Sequence, residues 1–164
     1  MKKIFVLLLT LLVLCAGCGD EKQKQEPSQK QQTSAFKMDA KTFIEKYNAI
    51  AKDNVKIKDP KIERKKKVVY SCKFNTAEIL VVENENKLES VSTISALPFD
   101  EKLFNAMHEP IVGVLNPNEK NRIGIVMGLY LPGVKNYKDS VTYGNVKYAT
   151  QENNGIVSVV ATHE

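Results

Sequence analysis

The spacing of apolar residues divides the chain from Asp39 onward into helical and extended segments. Apolar residues recur at helical spacing over residues 40–52, with Asp39 as a plausible N-cap, and therefore predict an amphipathic helix. The apolar positions of this helix are Phe43, Ile44, Tyr47 and Ile50. Segments rich in valine, isoleucine and aromatic residues then predict strands near residues 61–64, 67–74, 78–83 and 87–96. The polar turn Asn84-Glu85-Asn86 favours an antiparallel hairpin, so this part of the chain predicts a strand meander.

The second half returns to a helical period before it becomes extended again. Residues 98–115 predict a helix that is kinked or broken at Pro110. A second helix is predicted from Asn118, as N-cap, to Tyr130. The apolar face of that helix would be Ile123, Val126, Met127 and Tyr130. Strands are predicted over 140–143, 145–151 and 156–161, the last two joined at Asn154-Gly155, a strong hairpin signal.

This order of elements predicts an α+β fold. We expect an antiparallel sheet, made of a strand meander and a C-terminal hairpin, packed against the N-terminal helix and the two central helices. The runs of alternating helices and strands that build a parallel sheet are not seen in the pattern.

The first residues predict an export signal rather than part of the domain. Lys2 and Lys3 precede an uncharged apolar run over residues 4–14, and the small residues Ala16 and Gly17 follow. The run is shorter than the roughly 20 residues that a membrane-spanning helix needs. A cleaved leader is therefore the better interpretation.

The pair Ala16-Gly17 directly before Cys18 resembles the signal of bacterial lipoproteins. That resemblance implies cleavage before Cys18 and attachment of acyl chains to this residue. The sequence departs from the usual signal at Cys15, where leucine is common. Cleavage before Cys15 is disfavoured because bulky Leu14 would occupy the position that signal peptidases reserve for small residues. Ordinary secretion with cleavage nearby is the alternative.

The resulting organisation is a signal peptide over residues 1–17, a lipidated tether over residues 18–37 and a single domain over residues 38–164. Residues 19–36 contain five glutamines and almost no apolar side chains, so they cannot bury enough surface to fold. A flexible coil of this length would hold the domain roughly 20 to 25 Å from the bilayer. We expect the protein in the cell envelope, on the extracytoplasmic side of a bacterial membrane.

Charge gives little guidance to a further partner. The formal net charge of +5 includes the leader residues Lys2 and Lys3, and the remaining excess is mild. A nucleic acid partner is not expected, since neither this charge nor an exported location favours one. The expected partners are the membrane, through acyl chains on Cys18, and an unidentified protein or small ligand.

The residues that could carry chemistry are few. Once Cys15 and Cys18 are accounted for, Cys72 is the remaining thiol, and its spacing from Tyr70 and Phe74 favours a buried hydrophobic role. A pair between Cys72 and His108 stays open, although a histidine on the helix surface near its break is the simpler interpretation. The other histidine, His163, stands next to the chain end, where order is expected to be poor. No catalytic residue, metal site or cofactor is predicted.

Two further patterns have structural alternatives. The basic run Arg64 to Lys67 could touch anionic lipid headgroups or an acidic partner, or could be a solvated turn whose lysines protect a sheet edge. The pair Gly124 and Gly128, at helical spacing, is best explained by close packing of the helix on the sheet.

The domain as a whole resembles a group of small bacterial lipoproteins without assigned activity. The resemblance is carried by the run from Thr42 to Asn48, the turn Asn84-Glu85-Asn86, the helix that ends at Asn116-Pro117-Asn118 and the closing run from Tyr143 to Tyr148. It implies the topology and brings no catalytic residue. The expected function is non-enzymatic binding of a ligand or protein by a membrane-anchored lipoprotein. The alternative is an immunity or exclusion factor that inhibits an envelope-acting toxin, hydrolase or phage component.

Overall fold

A seven-stranded antiparallel sheet forms the body of the protein. The computed structural model describes residues 35–96, 100–128 and 138–164. The helices are α1 (Ala40–Ile50), α2 (Glu101–Leu115) and α3 (Arg122–Gly128), with a short 3-10 helix at Asp53–Val55. The strands are β1 (Lys61–Arg64), β2 (Val68–Phe74), β3 (Ala77–Asn84), β4 (Lys87–Ala96), β5 (Lys138–Tyr143), β6 (Val146–Asn153) and β7 (Ile156–His163). The predicted α+β class is confirmed.

The strand order is β1-β2-β3-β4-β7-β6-β5. Two antiparallel meanders, β1 to β4 and β5 to β7, therefore meet where β4 pairs with β7, with Thr93 opposite Val159. The predicted C-terminal hairpin is the β6–β7 pair of the second meander. The last strand of the chain consequently lies in the interior of the sheet, not at an edge.

Two hairpin turns have the backbone that their sequences predict. Glu85 and Asn86 between β3 and β4 have φ of 51° and 59°, and Asn154 and Gly155 between β6 and β7 have φ of 51° and 79°. Left-handed conformations at both central residues define the type I′ turn that matches the twist of a hairpin. Asparagine and glycine tolerate this conformation at little cost, whereas glutamate rarely adopts it. The register of β3 and β4 also shifts at a bulge between Val82 and Glu83.

Helix α1 begins where the sequence predicts. The Asp39 carboxylate accepts a hydrogen bond of 2.7 Å from the Thr42 N–H, and this bond lowers the pKa of Asp39. The helix ends at Ile50, two residues before the predicted end. Its buried residues Phe43 and Tyr47 face the core.

Helix α2 runs without interruption through Pro110, so the predicted break is wrong. Asp100 caps its first turn by accepting from the Leu103 N–H at 3.0 Å. A proline inside a helix costs about 3 kcal/mol because one backbone bond is lost. Pro110 itself is buried, as are His108 and Ile111 on either side of it, and their packing offsets that cost. At the other end, Asn116 donates to the Tyr143 carbonyl at 2.9 Å and accepts from the Tyr148 hydroxyl, which joins α2 to β5 and β6.

Helix α3 begins three residues later than predicted. Asn121, not Asn118, is the N-cap, since its side chain accepts from the Gly124 N–H at 3.0 Å. Ile125 is its buried apolar residue. The predicted apolar face lies outside what the structure describes, which excludes the side chains of Ile123, Val126 and Met127 and all of residue 130. Among the described residues, no helix has both the length and the apolar character to cross a membrane.

The core lies between the helices and one face of the sheet. Buried side chains of α1 and α2 share a single cluster with alternate residues of the strands. The sheet residues of this cluster include Ile79, Val81, Val91, Tyr148, Val157, Val159 and Ala161. Because side chains alternate along a strand, the intervening residues project to a second face.

Candidate binding surface

The predicted lipidation site cannot be located in the described part of the chain. Cys18 and most of the tether lie outside the described residues, which begin at Ala35. The anchor accordingly stays a prediction from the sequence. The sites that the structure does describe are two histidines, one thiol, a loop cavity, a basic turn and the second face of the sheet.

His108 lies in the core and not on the helix surface, contrary to the simpler sequence interpretation. It is 2 % exposed, its Nδ1–H donates to the Phe104 carbonyl at 2.8 Å, and its Nε2 accepts from the Thr93 hydroxyl at 2.7 Å. Burial lowers the pKa of His108 to about 4. The ring is therefore neutral at pH 7, and both of its nitrogens are occupied by structural hydrogen bonds.

Cys72 packs against the core cluster with Tyr70 and Phe74, as the alternation of β2 predicts. The sulfur lies 3.8 Å from the Lys58 carbonyl oxygen. Cys72 is opposite Ile79, which is opposite Thr93, the partner of His108. Two strand spacings, about 10 Å, therefore separate the strand positions of Cys72 and Thr93. The structure does not bring Cys72 and His108 together as a nucleophile and its base.

His163 is an ordered part of the sheet, so the expectation of poor order at this end is wrong. It pairs with Val146 across β6 and β7, and its ring packs edge-on against Phe36 at 5.4 Å between centroids. The Glu164 N–H also donates to the Asn145 carbonyl at 3.0 Å. These contacts hold the chain end against the β5–β6 turn.

The core face carries polar side chains that the sequence analysis did not single out. Thr93 and Thr150 lie on either side of Val159, and Ser95 and Glu152 on either side of Val157. All four are buried. Glu152 accepts from the Gly155 N–H at 2.9 Å and so supports the β6–β7 turn. Threonine and glutamate are more often exposed in proteins, so their residue type alone would not indicate these inward positions. Across the described ranges, histidine, cysteine and acidic residues form no group able to hold a metal ion.

An open cavity of about 640 Å³ lies at the loop between α2 and α3. It is lined by Glu109 and by residues 117–122, with acidic and basic groups side by side. The Arg122 guanidinium donates to the carbonyls of Pro117 and Glu119, and a Cβ on Gly113 would lie 2.8 Å from its Nη1. The arginine thus closes the end of α2 instead of pointing a free charge into the cavity.

The spacing of Gly124 and Gly128 predicts close packing of α3 on the sheet, and this prediction is wrong. Both residues are exposed. A Cβ on Gly124 would lie 2.3 Å from Asn121 Nδ2, whereas a Cβ on Gly128 would meet nothing within 4 Å. Gly124 therefore leaves room for the capping side chain of Asn121.

The basic run forms the turn between β1 and β2. Arg64 ends β1, and the Lys65 N–H donates to the Lys67 carbonyl at 3.1 Å. Lys67 forms an ion pair with Glu89. Arg64, Lys65 and Lys66 are exposed. The turn is solvated, and a short edge strand with lysines at its end also suits the edge-protecting role.

The second face of the sheet is the most extensive candidate surface. Leu80 and Val82 are 6 % and 5 % exposed, yet they do not belong to the cluster that the helices share. The register places them in rows with other residues of this face. The residues around them are small or apolar: Val69, Ser71, Ser90, Ser92, Ile94, Ala149, Ser158 and Val160. The centre of this face is therefore a patch of apolar residues and serines, which we call the outer patch; Leu80, Val82, Ser90 and Ser92 are buried in it, and the other members are half-buried.

The charged residues of this face stand at its margins. Lys61 and Glu63 lie on the edge strand β1 and form an ion pair of 2.9 Å. Lys73 is opposite Glu78 on the neighbouring strand, and Lys138 and Lys147 lie toward the other edge. Val69, Ile94 and Val160 are half-buried, so part of their apolar surface reaches solvent. An apolar centre with a charged rim is the usual anatomy of a protein interface.

Comparison of the chain with protein-family models, with curated proteins and with solved structures gave no match. The likeness to small bacterial lipoproteins therefore stays a prediction from the sequence. The candidate function rests on the geometry of the domain and on the pattern of the first eighteen residues.

Proposed function

We propose that this protein is a lipid-anchored protein of the bacterial envelope whose α+β domain binds a protein partner through the outer patch. Acyl chains on Cys18 would hold the protein on the extracytoplasmic side of the membrane. The observation that carries the binding role is the group of half-buried apolar side chains at the centre of the second sheet face, Val69, Ile94 and Val160, which lie around the buried residues Leu80 and Val82.

The shape of this face favours a protein over a small molecule. A sheet of seven strands is about 30 Å wide, since neighbouring strands lie about 4.8 Å apart. Standard protein interfaces bury about 800 Å² on each partner, which requires a surface of this breadth. Small ligands instead need a concave pocket that encloses most of their surface. The cavity beside α3 is open and polar, and it lies apart from the outer patch.

The chemistry of the described residues also favours binding over catalysis. A nucleophile needs a base within hydrogen-bond reach, and His108 is occupied by Thr93 and Phe104. Cys72 lies two strands away from that position. The support for a binding role is therefore the outer patch together with the structural use of the residues that could otherwise act as base or nucleophile.

Photocrosslinking in the native cells tests the proposal. A photoreactive amino acid at Val160, in the outer patch, is expected to give one discrete protein adduct. The same amino acid at Lys102, an exposed position on α2, is expected to give none. Ile94→Lys places a longer, charged side chain within the patch and should abolish the adduct at Val160, because an ammonium group is costly to bury in an interface even when it lies opposite Glu78.

The matched control is Ser140→Lys, which adds the same charge at the exposed margin of the same face. It should leave the adduct intact. Equal labelling from Val160 and Lys102, or an adduct that survives Ile94→Lys, would contradict the proposed surface. Mass spectrometry of the adduct identifies the partner, and a toxin, hydrolase or phage protein there would indicate the inhibitory role.

A further inference from the structure

The chain enters the described domain at one end of the sheet. The Phe36 N–H donates to the Leu88 carbonyl at 3.0 Å, and the Leu88 N–H donates to the Met38 carbonyl at 2.7 Å. Leu88 directly follows the β3–β4 turn. The ring contact between Phe36 and His163 adds a second fixed point at this end. The chain from Cys18 therefore joins the domain beside the β3–β4 turn.

The basic β1–β2 turn lies at this same end. Val68 is opposite Glu83, and Glu83 is opposite Leu88, so the turn that precedes Val68 projects beyond the row that holds the chain entry. Lys67, in this turn, reaches Glu89, next to Leu88. The hairpin that carries Arg64, Lys65 and Lys66 is thus a neighbour in space of the segment that leads to the anchor, although Ala35 and Lys65 are 30 positions apart in the sequence.

From this juxtaposition we propose that the β1–β2 turn binds anionic phospholipid headgroups of the membrane that holds the anchor. The domain then stands with this end of its sheet toward the bilayer. The inference rests on the proposed lipid anchor and deepens it, because it names the part of the domain that meets the membrane. The outer patch, on a face that runs perpendicular to this end, remains accessible to a partner.

The cations of this turn are available for such contacts. The acids near them are mostly engaged: Glu63 binds Lys61, Glu89 binds Lys67, and Glu83 accepts from the Ala40 N–H at 2.9 Å. Lys65 and Lys66 are exposed and form no ion pair within the described part of the chain. Glu85, exposed in the neighbouring turn, opposes them only in part.

A weak site is sufficient because the anchor supplies the proximity. One lysine close to an anionic surface changes the balance between docked and free states about fivefold. That gain would not hold a soluble domain on a membrane, but a tether converts the contact into an intramolecular one. The flexible tether that the sequence predicts would span roughly 20 to 25 Å, which would let the turn reach the headgroups. The attraction acts within about 8 to 10 Å at physiological salt.

The far end of the sheet provides a matched control. Lys73, Lys138 and the turn residue Thr76 are exposed at this end. The acidic residues Glu78 and Asp139 lie close to the two lysines. The two ends therefore do not differ in carrying exposed lysines. They differ in their position relative to the chain entry.

The orientation can be measured by tryptophan quenching, since the protein has no tryptophan of its own. The full-length acylated protein is placed in nanodiscs that contain brominated lipid, with either anionic or zwitterionic headgroups. Asn145→Trp reports on the anchor end of the sheet and Thr76→Trp on the far end. We expect strong quenching of the tryptophan at position 145 in anionic discs only, and weak quenching at position 76 in both.

Replacing both Lys65 and Lys66 with glutamine should lower the ratio of docked to free domain roughly thirtyfold, since two cations near the surface are lost. The quenching at position 145 then falls to its zwitterionic value. Replacing both Lys73 and Lys138 with glutamine should leave it unchanged. Quenching at position 145 that is equal in anionic and zwitterionic discs, or that persists without Lys65 and Lys66, would overturn the proposal.

Intact-mass analysis of the same samples distinguishes failure of the docking site from failure of the proposed lipid anchor. Acyl chains on Cys18 with no dependence on lipid charge would overturn the docking site alone. A processed protein without acyl chains would overturn the anchor and the docking site together.

Discussion

His108 shows how one buried side chain makes the domain sensitive to acid. Its ring is held neutral between Thr93 and the Phe104 carbonyl, with a pKa of about 4 in the folded protein. An unfolded chain has the ordinary histidine pKa of about 6.5. Below that value the unfolded state binds a proton that the folded state does not, so stability falls as the pH falls.

We expect His108 to contribute a loss of about 3 kcal/mol in the free energy of unfolding between pH 6.5 and pH 4. Chemical denaturation at several pH values measures it. His108→Gln keeps a polar side chain at this position but does not titrate, so the stability of the variant should depend less steeply on pH. Its stability at pH 7 should be lower, because the hydrogen bonds of the ring to Thr93 and Phe104 are lost. His163→Gln is the control and should retain the contribution of His108. Parallel curves for wild type and His108→Gln would show that burial does not hold the ring neutral.

The burial of His108 could not be predicted from its sequence neighbours. Histidine, Glu109 and Pro110 together suggested a helix surface near a break, whereas the position is inward because Met107 and Ile111 continue the same packed segment. Its hydroxyl partner, Thr93, comes from a strand 15 residues away. A helical period identifies apolar faces, but it does not show which polar residue finds a partner inside the core.

At the scale of elements, α3 offers a matched pair of glycines. Gly124→Ala would place a methyl group 2.3 Å from the Asn121 side chain and should displace the N-cap. Loss of a cap costs about 1 kcal/mol. Gly128→Ala meets no atom within 4 Å, so the better helix propensity of alanine makes it neutral or stabilising by up to about 1 kcal/mol.

Thermal or denaturant unfolding of both variants checks this expectation. The two substitutions are chemically identical and lie one turn apart, so their difference isolates the cap. A Gly124→Ala variant as stable as Gly128→Ala would mean that Asn121 does not cap α3.

Elements defined by local chemistry could be predicted, and those decided by competing local signals could not. Asn154-Gly155 and the turn Asn84-Glu85-Asn86 indicated two hairpins because asparagine and glycine suit left-handed turn positions, although Glu85 also adopts this conformation, which glutamate rarely takes. The start of α3 was placed at Asn118 since asparagine is a good N-cap, but Asn121 is equally suited and lies closer to Ile125, the residue that packs.

At the scale of the whole molecule, β7 is the strand on which the sheet depends. It pairs with β4 through Val91 and Thr93 and with β6 through Tyr148 and Thr150. Each half of the sheet is a local meander, so the sequence could indicate both halves. The pairing that joins them connects Val91 with Ala161, 70 residues apart, and no local pattern specifies such a partner.

Removal of residues 156–164 should therefore unfold the entire domain rather than fray one edge. The core loses Val157, Val159 and Ala161, and β4 and β6 lose their partner. Circular dichroism and denaturant titration should show no cooperative transition in this variant. Deletion of the short edge strand β1, over residues 61–64, removes no member of the buried core cluster and should leave a cooperative transition at lower denaturant. A folded protein without β7 would contradict the central role of the β4–β7 pairing.

The interior position of β7 has a consequence for the timing of synthesis. A nascent chain emerges from the ribosome in sequence order, and the gap between β4 and β6 is filled only after β7 has been made, 60 residues after the end of β4. Before then the strands on the two sides of this gap have no strand to join them, so the complete sheet cannot form. If the signal predicted from the first eighteen residues directs export, this delay would help, because a chain that is still unfolded can pass through a narrow translocation channel.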